Sequence, residues 1–448
     1  SMEGEIWMKI VILVAYVLMM VVVIAFTAKK NLSLNEFLLG GRNVGPWMSA
    51  LSYGASYFSA VIIVGYSGST GWGAGLSAVW CGIGNALIGS FVAWRLLAKP
   101  TRIMGERLQV STVPGFFEKR YNSKLLKILA SLMIFLFLLP YSASVYKGLG
   151  EMFRVAFGFD YTWCVVGIAM LSALYLFAGG YKATAITDFI QGIIMIVGLV
   201  AVVLYMLKAA GGVSEGLKLL GTEGIGGEGY ASLLPPAGKG SWLLSNVMLT
   251  SLGVLGMPQM LHKFFAVKDK HAIKRATVIS TVFALIIAGG AYFAGGFSRA
   301  ILHNIDAAEG TTWMAQLASG EIRLDAIIPT IVSSGTVGIP DALLGLFVVL
   351  LLSASISTLT SLVLSSSSVI SIDLVGTVAP KMKPQTTTTL MRVLCLVFVA
   401  LSLVINFIMQ GTPIVVFLMI LYYIVFGDVE PVLVAVVGFA LNFAAYVS

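Results

Sequence analysis

The 448 residues include only 11% Asp, Glu, Lys and Arg against 58% hydrophobic residues, with a mean hydropathy of +0.96. Water-soluble domains carry about a quarter charged residues, so a soluble enzyme or binding module is excluded. The net charge of +8 does not mark a nucleic-acid binder, because the basic residues flank apolar segments instead of forming a phosphate-tracking face.

Apolar stretches of about 20 residues recur, each long enough to cross a ~30 Å hydrocarbon core as a helix. They are apolar on all sides and do not alternate over ~10 residues as barrel strands do, so helices satisfy the backbone here. Twelve spans are predicted, near 7–28, 46–72, 76–98, 124–150, 161–178, 185–208, 242–266, 273–298, 337–372, 388–409, 412–427 and 429–447. The first follows Glu3 and Glu5, is too long for a signal-peptide core and lacks a small-residue cleavage site, so it reads as a retained span. Linkers are short except 209–241, rich in Gly and Pro, and 299–336, where a short surface helix is expected.

The Lys/Arg bias predicts orientation. With the N-terminus outside, the cytoplasmic connections gather Lys29, Lys30 and Arg42, then Arg95 through Lys127, Lys182, Lys263 through Arg275, and Lys381 through Arg392. The acidic turn Gly427-Asp428-Val429-Glu430 breaks this alternation. It is either an unusual turn or a point where residues are missing, so topology is read only to Gln410. Cys81, Cys164 and Cys395 lie in apolar segments without disulfide or metal spacing and read as packing residues.

Asp188, Asp341 and Asp373 fall near segment ends, which leaves no mid-membrane acid for a proton relay. A cation crossing here must be held by neutral oxygens, and broken helices supply carbonyls at the midplane. Segment two, WMSALSYGASYFSAVIIVGYSGSTGW, contains Gly54, Gly65, Gly68 and Gly71; segment seven, SLGVLGMPQMLHKFF, contains Gly253, Gly256 and Pro258. These two interrupted segments are five apart, an odd number, so two five-helix units would run in opposite directions. Glycines of this kind also serve close packing.

Segment nine carries SASISTLTSLVLSSSS, in which Ser357, Ser361, Ser365 and Ser368 share one face. Hydroxyls are hard oxygen ligands for a small cation; a small-residue packing seam would use serine equally well. Segment four echoes it with Pro140, Tyr141, Ser142 and Ser144. His262, His271 and His303 lie at or outside segment ends, no Walker motif occurs, and no cytoplasmic stretch is long enough for a nucleotide-binding domain. ATP is therefore not expected as a partner.

Five motifs together resemble the sodium/solute symporter family: LLGGRNVGPW after the first span, GASYFSA in the second, AGGYKATAITDFIQG entering the sixth, GMPQMLHKFFAVKD ending the seventh and SASIST in the ninth. The resemblance implies an all-α polytopic membrane protein of the leucine-transporter-type fold, two inverted five-helix repeats preceded by one extra helix. The corresponding boundaries are 1–45 for the extra helix and cytoplasmic loop, 46–208 for the first repeat, 209–241 for an extracellular linker, 242–427 for the second repeat and 428–448 for a C-terminal helix.

The same resemblance implies sodium-coupled import of a small organic solute across the plasma membrane by alternating access, with no enzymatic step. Its sodium ligands would be the carbonyls of Ala55, Phe58 and Ala354 and the hydroxyls of Ser357 and Thr358. Solute-lining positions would be Tyr57, Ser59, Tyr141, Thr250, Val254, Pro258 and Gln259. The family's proline carriers have an acid in place of Tyr57 and Trp and Tyr in place of Thr250 and Val254, so a carboxylate such as pantothenate or a monocarboxylate stands beside proline as solute. Arg42 and Asp188 match positions tied to cytoplasmic gating and sodium release; the plainer expectation is positive-inside flanking for Arg42 and helix N-terminal capping for Asp188. Alternatives from other classes are an uncoupled channel or facilitator and a transporter-fold membrane sensor.

Overall fold

A computed structural model describes residues 2–27, 33–158 and 160–408, and within these no strand forms beyond one isolated bridge between Val44 and Val267. The predicted spans at 412–427 and 429–447 and the turn between them lie outside the described residues. α1 (Met2–Thr27) and the short α2 (Leu34–Leu39) precede α3 (Pro46–Tyr57). Ser33 and Glu36 cap α2 reciprocally, which satisfies two otherwise orphaned N–H groups.

After α3 come α4 (61–74) and α5 (79–107), joined by a tight turn in which Gly75 has φ 60°. The surface helix α6 (Val113–Tyr121), not anticipated from sequence, is started by the Thr112 cap and Pro114. α7 (Lys124–Phe157) follows, then α8 (161–179) and α9 (181–209), separated at Gly180, where φ is 60° and a Cβ would lie 2.8 Å from the Phe37 ring. Only glycine enters that region without strain.

α10 (Gly212–Gly221) leads into α11 (Gly240–Leu255) and α12 (Pro258–Ala266), bent by 43° about Gly256–Met257. α13 (270–296) and three helices in the long linker follow: α14 (Ser298–Glu309), α15 (Trp313–Ser319) and α16 (Ile327–Ser333). α17 (Asp341–Val378) and α18 (Pro384–Ile408) complete the described chain. Among the described residues seven helical runs are long and apolar enough to cross a membrane, and the bent α11–α12 pair makes an eighth.

α17 is the central post. Every residue from Phe347 to Val369 is buried, and the helix packs against α1, α3, α7, α9, α12 and α18. The opposite arm is locked by glycine: a Cβ on Gly71 of α4 would stand 2.0 Å from the Gly295 carbonyl oxygen of α13, and one on Gly295 would stand 2.2 Å from that of Ser67. Lipid does not drive helices together by hydrophobicity, so backbone approach of this kind supplies the packing energy.

Gly71→Val is expected to destabilise by at least about 1–3 kcal/mol, because the clash is with backbone and cannot be relieved by a rotamer. Gly167→Ala on α8, where a Cβ meets open space, should leave the melting temperature in detergent unchanged or raised. Equal stability of parent and Gly71→Val would overturn the crossing.

Candidate functional site: a broken helix facing a hydroxyl-rich helix

α3 stops at Tyr57 because Phe58 turns extended, with φ −102° and ψ 96°, while its N–H still reaches the Gly54 carbonyl at 3.1 Å. Beyond that point the ladder changes partners. The Ala60 N–H donates to Ser355 Oγ at 3.3 Å, Val61 N–H to Ser59 Oγ at 3.2 Å, and both Ile62 and Ile63 N–H to the Ser59 carbonyl at 3.0 Å. The helical ladder thus skips the carbonyls of Ala55 and Phe58.

α17 faces this break with hydroxyls. Thr358 Oγ1 lies 3.0 Å from the carbonyls of both Ser56 and Ala354, so its proton is shared between the two helices. Ser56 Oγ is 3.0 Å from Ser357 Oγ and 2.9 Å from Ser361 Oγ. Ala55, Phe58, Ala354, Ser357 and Thr358 are all fully buried, and Ser56 joins the broken end of α3 to the serine face of α17. Neutral hard oxygens converge here, the donor set that suits a small monovalent cation.

The expected solute-lining residues spread over α3, α7, α11 and α12. Tyr57 donates to the Thr250 carbonyl at 2.6 Å and stacks on Phe58; Val254 is buried one turn further along α11. Ser59 sits in the break itself, and Tyr141 on α7 is near Tyr57 and Tyr66. Pro258 lines a narrow crevice of about 10 Å³ with Ser111, Thr112, His262, Ser365 and Ser368. Gln259, at the start of α12, is buried, with its amide N–H on Met257 Sδ at 3.2 Å and its Oε1 without a partner among the described residues.

Asp188 is not a helix cap. It lies inside α9, eight residues past the Gly180 break, fully buried, and accepts from Ser52 Oγ at 2.5 Å. Its counter-charge is Lys263, which places Nζ 3.4 Å from Asp188 Oδ2 and 2.7 Å from Ser52 Oγ, and 5.5 Å from the centre of the Tyr181 ring. Sequence reasoning counted Lys263 among loop basics; its side chain is only 2% exposed. A charge-bias count cannot separate a loop lysine from one turned inward, and the only available signal was the apolar HKFF context of α12. Asp373 is a second buried acid, 4.0 Å from Lys127.

Arg42 does more than flank a span. It takes a left-handed conformation with φ 55°, and its guanidinium donates to the carbonyls of Val110 at 2.6 Å and Phe265 at 3.4 Å. Arg102 donates alongside to Val267 at 2.6 Å. Burial, then the nearby Arg102, lower the Arg42 pKa. Both arginines therefore clamp the loop before α3 and the loop after α5 to the end of α12.

Comparison with known proteins agrees with this architecture. The chain has the fold of a substrate-bound, outward-open Na+-coupled sialic acid symporter at a TM-score of 0.75, with 15% identity over 92% of this chain and 82% of that one. MhsT in complex with L-phenylalanine follows at a TM-score of 0.57 and 18% identity, covering 90% of this chain and 88% of that one. This is the leucine-transporter-type fold, two inverted five-helix repeats behind an extra helix.

A profile of the sodium:solute symporter family matches residues 37–445, and the chain belongs to that family. It is a membrane transporter, not an enzyme. Curated relatives include two sodium/proline symporters of Staphylococcus aureus, one from strain bovine RF122 / ET3-1, each 30% identical over 372 residues, spanning 81% of this chain and 67% of theirs.

Removing one partner of a buried ion pair costs about 3–5 kcal/mol, whereas removing both is often neutral. Lys263→Met is therefore expected to melt well below the parent in detergent, and the Asp188→Asn/Lys263→Met double variant to recover most of the loss. A Lys263→Met protein as stable as the parent would show the pair to be energetically idle.

Proposed function

We propose that the chain couples inward movement of Na+ to uptake of a small carboxylate-bearing organic solute by alternating access. The observation that supports this reading is the α3 break, where the helical ladder skips the Ala55 and Phe58 carbonyls while Thr358 of α17 bonds the Ser56 carbonyl between them; we take Ala55, Phe58, Ala354, Ser357 and Thr358 as the ion-holding groups. These five groups would hold the ion without any carboxylate, so its arrival and departure need no proton transfer. Thr358 would exchange its bond to Ser56 for the cation as α17 and α3 adjust.

Ion release would run toward the end of the bundle where Arg42, Asp188 and Lys263 lie. Asp188 attracts the departing cation, and Lys263 neutralises the acid once it has gone, so no bare charge is left in the membrane interior. The narrow crevice beside Pro258, lined by Ser365 and Ser368, would have to widen to serve as the exit on that side. Ser365 is thus a pathway residue in this reading and not a bystander of the serine face.

For the solute, the N-terminus of α12 at Pro258–Gln259 presents the positive end of a helix dipole at the α11–α12 bend, which favours a carboxylate. The named relatives transport proline; here Tyr57 and Thr250 bond to one another and Tyr57, Ser59, Tyr141, Val254, Pro258 and Gln259 would shape the cavity. Repeats at 46–208 and 242–427, an extracellular N-terminus and a plasma-membrane location complete the reading, supported by the Lys/Arg bias and by the clustering of Arg42, Arg102 and Lys268 at one end.

In proteoliposomes an inward sodium gradient without a proton gradient should drive accumulation of at least one solute from a panel of L-proline, other amino acids, monocarboxylates and pantothenate. Uptake that follows protons and ignores sodium would sink the reading. Ser357→Ala/Thr358→Ala should raise the sodium concentration for half-maximal uptake at least about tenfold, since two ion contacts exceed 1.4 kcal/mol. Solute affinity should be recovered at high sodium. Ser367→Ala, whose hydroxyl back-bonds to Val363 at 2.7 Å and faces Cys395 on α18, is the silent control.

A further inference from the structure

α1 is apolar around its whole circumference, yet one stripe of it turns inward: Tyr16, Met20 and Val23 are buried while Leu18, Val22 and Phe26 are exposed. On that stripe Tyr16 carries the only hydroxyl, and it is 4% exposed. Its Oη accepts from Gln191 Nε2 at 2.6 Å. Gln191 stands three residues past Asp188 on the same face of α9. The phenol also faces Ser353 on α17, whose hydroxyl is otherwise unpartnered among the described residues. Ser353 immediately precedes Ala354 and lies one turn before Ser357.

One hydroxyl from the extra helix therefore sits between the helix that carries Asp188 and the helix that carries three of the proposed ion-holding groups. It does so from outside both repeats. The Gln191 amide is 1% exposed and has its Oε1 without a partner, so the bond to Tyr16 is what fixes its orientation. Within a bilayer a freed amide cannot turn to water; α9 must rotate or shift to satisfy it, and that changes its distance from α17.

We propose that Tyr16 is a positioning residue for sodium binding, setting the spacing of α9 and α17 behind the ion, so that the extra helix belongs to the coupling machinery. This rests on the sodium site proposed above. Ligand-supporting contacts of this kind are worth about tenfold or more in metal affinity when removed.

The test uses the whole chain in nanodiscs and Na+ itself as the probe, with binding read by radiolabelled sodium and stability by melting with and without sodium. Tyr16→Phe should weaken sodium binding about tenfold and shrink the sodium-induced rise in melting temperature. Gln191→Leu removes the tie from its other end and should weaken binding in the same direction, which keeps the test open should Tyr16→Phe fail to fold. The Tyr16→Phe/Gln191→Leu double variant removes the unpaired amide and should regain stability while keeping the weakened binding. Sodium binding that returns with stability, or that never changes in either single variant, overturns the proposal. If Ser357→Ala/Thr358→Ala weakens sodium binding but the Tyr16 and Gln191 variants do not, only this inference falls; if that double variant is itself silent, the sodium site falls first.

Discussion

The structure depends on one interruption. At Phe58 the backbone of α3 leaves the helix inside a region with no water to receive the freed groups, where each unsatisfied N–H or carbonyl is costly. The neighbouring helix must therefore bring polar partners, and α17 does so with Ser355 on the Ala60 N–H and Thr358 on the Ser56 carbonyl. Burial of α17 from Phe347 to Val369 follows from this need: a helix that supplies hydroxyls to a break cannot face lipid. The remaining helices enclose that pair.

The charged groups obey the same constraint by a different route. Asp188 and Lys263 are both buried, and their bond is completed by Ser52, whose hydroxyl accepts from the lysine and donates to the carboxylate. Ser52 lies on α3 one turn before Ser56, so the ion pair and the break share a helix. A displacement of α3 felt at Thr358 is felt at Lys263 as well. Further out, Arg42 ties the start of that helix to the end of α12 through the Phe265 carbonyl, and Val44 pairs with Ala266 and Lys268 beside it. These contacts join the two halves at one end of the bundle, and they must open if that end is to open.

Much of this was legible in the residues. The all-helical membrane class followed from length and hydropathy, and the SASIST hydroxyls and the GASYFSA break were visible because polar and small residues stand out against an apolar background. What escaped was the direction of single side chains. Lys263 sits among the basic residues of a loop end, and composition alone cannot say that it turns inward. Tyr16 escaped because a phenol in VILVAYVLMM counts as one more apolar residue; its hydroxyl's partners, Gln191 and Ser353, are distant in sequence. The α6 helix escaped because nine residues with a mixed pattern, VPGFFEKRY, have a weak periodic signal.

In the proposed site, a broken helix would make ion binding and shape change one event. The Ala55 and Phe58 carbonyls have fixed positions relative to α3, while Ala354, Ser357 and Thr358 are fixed to α17. A cation bound by both sets favours only arrangements in which the two helices keep one separation, and it biases the conformational equilibrium by its difference in affinity between states. Hydroxyls suit this role better than a carboxylate would. Under the proposed mechanism Thr358 would return its proton to the Ser56 and Ala354 carbonyls when the ion leaves, so neither state would strand a buried charge at the break.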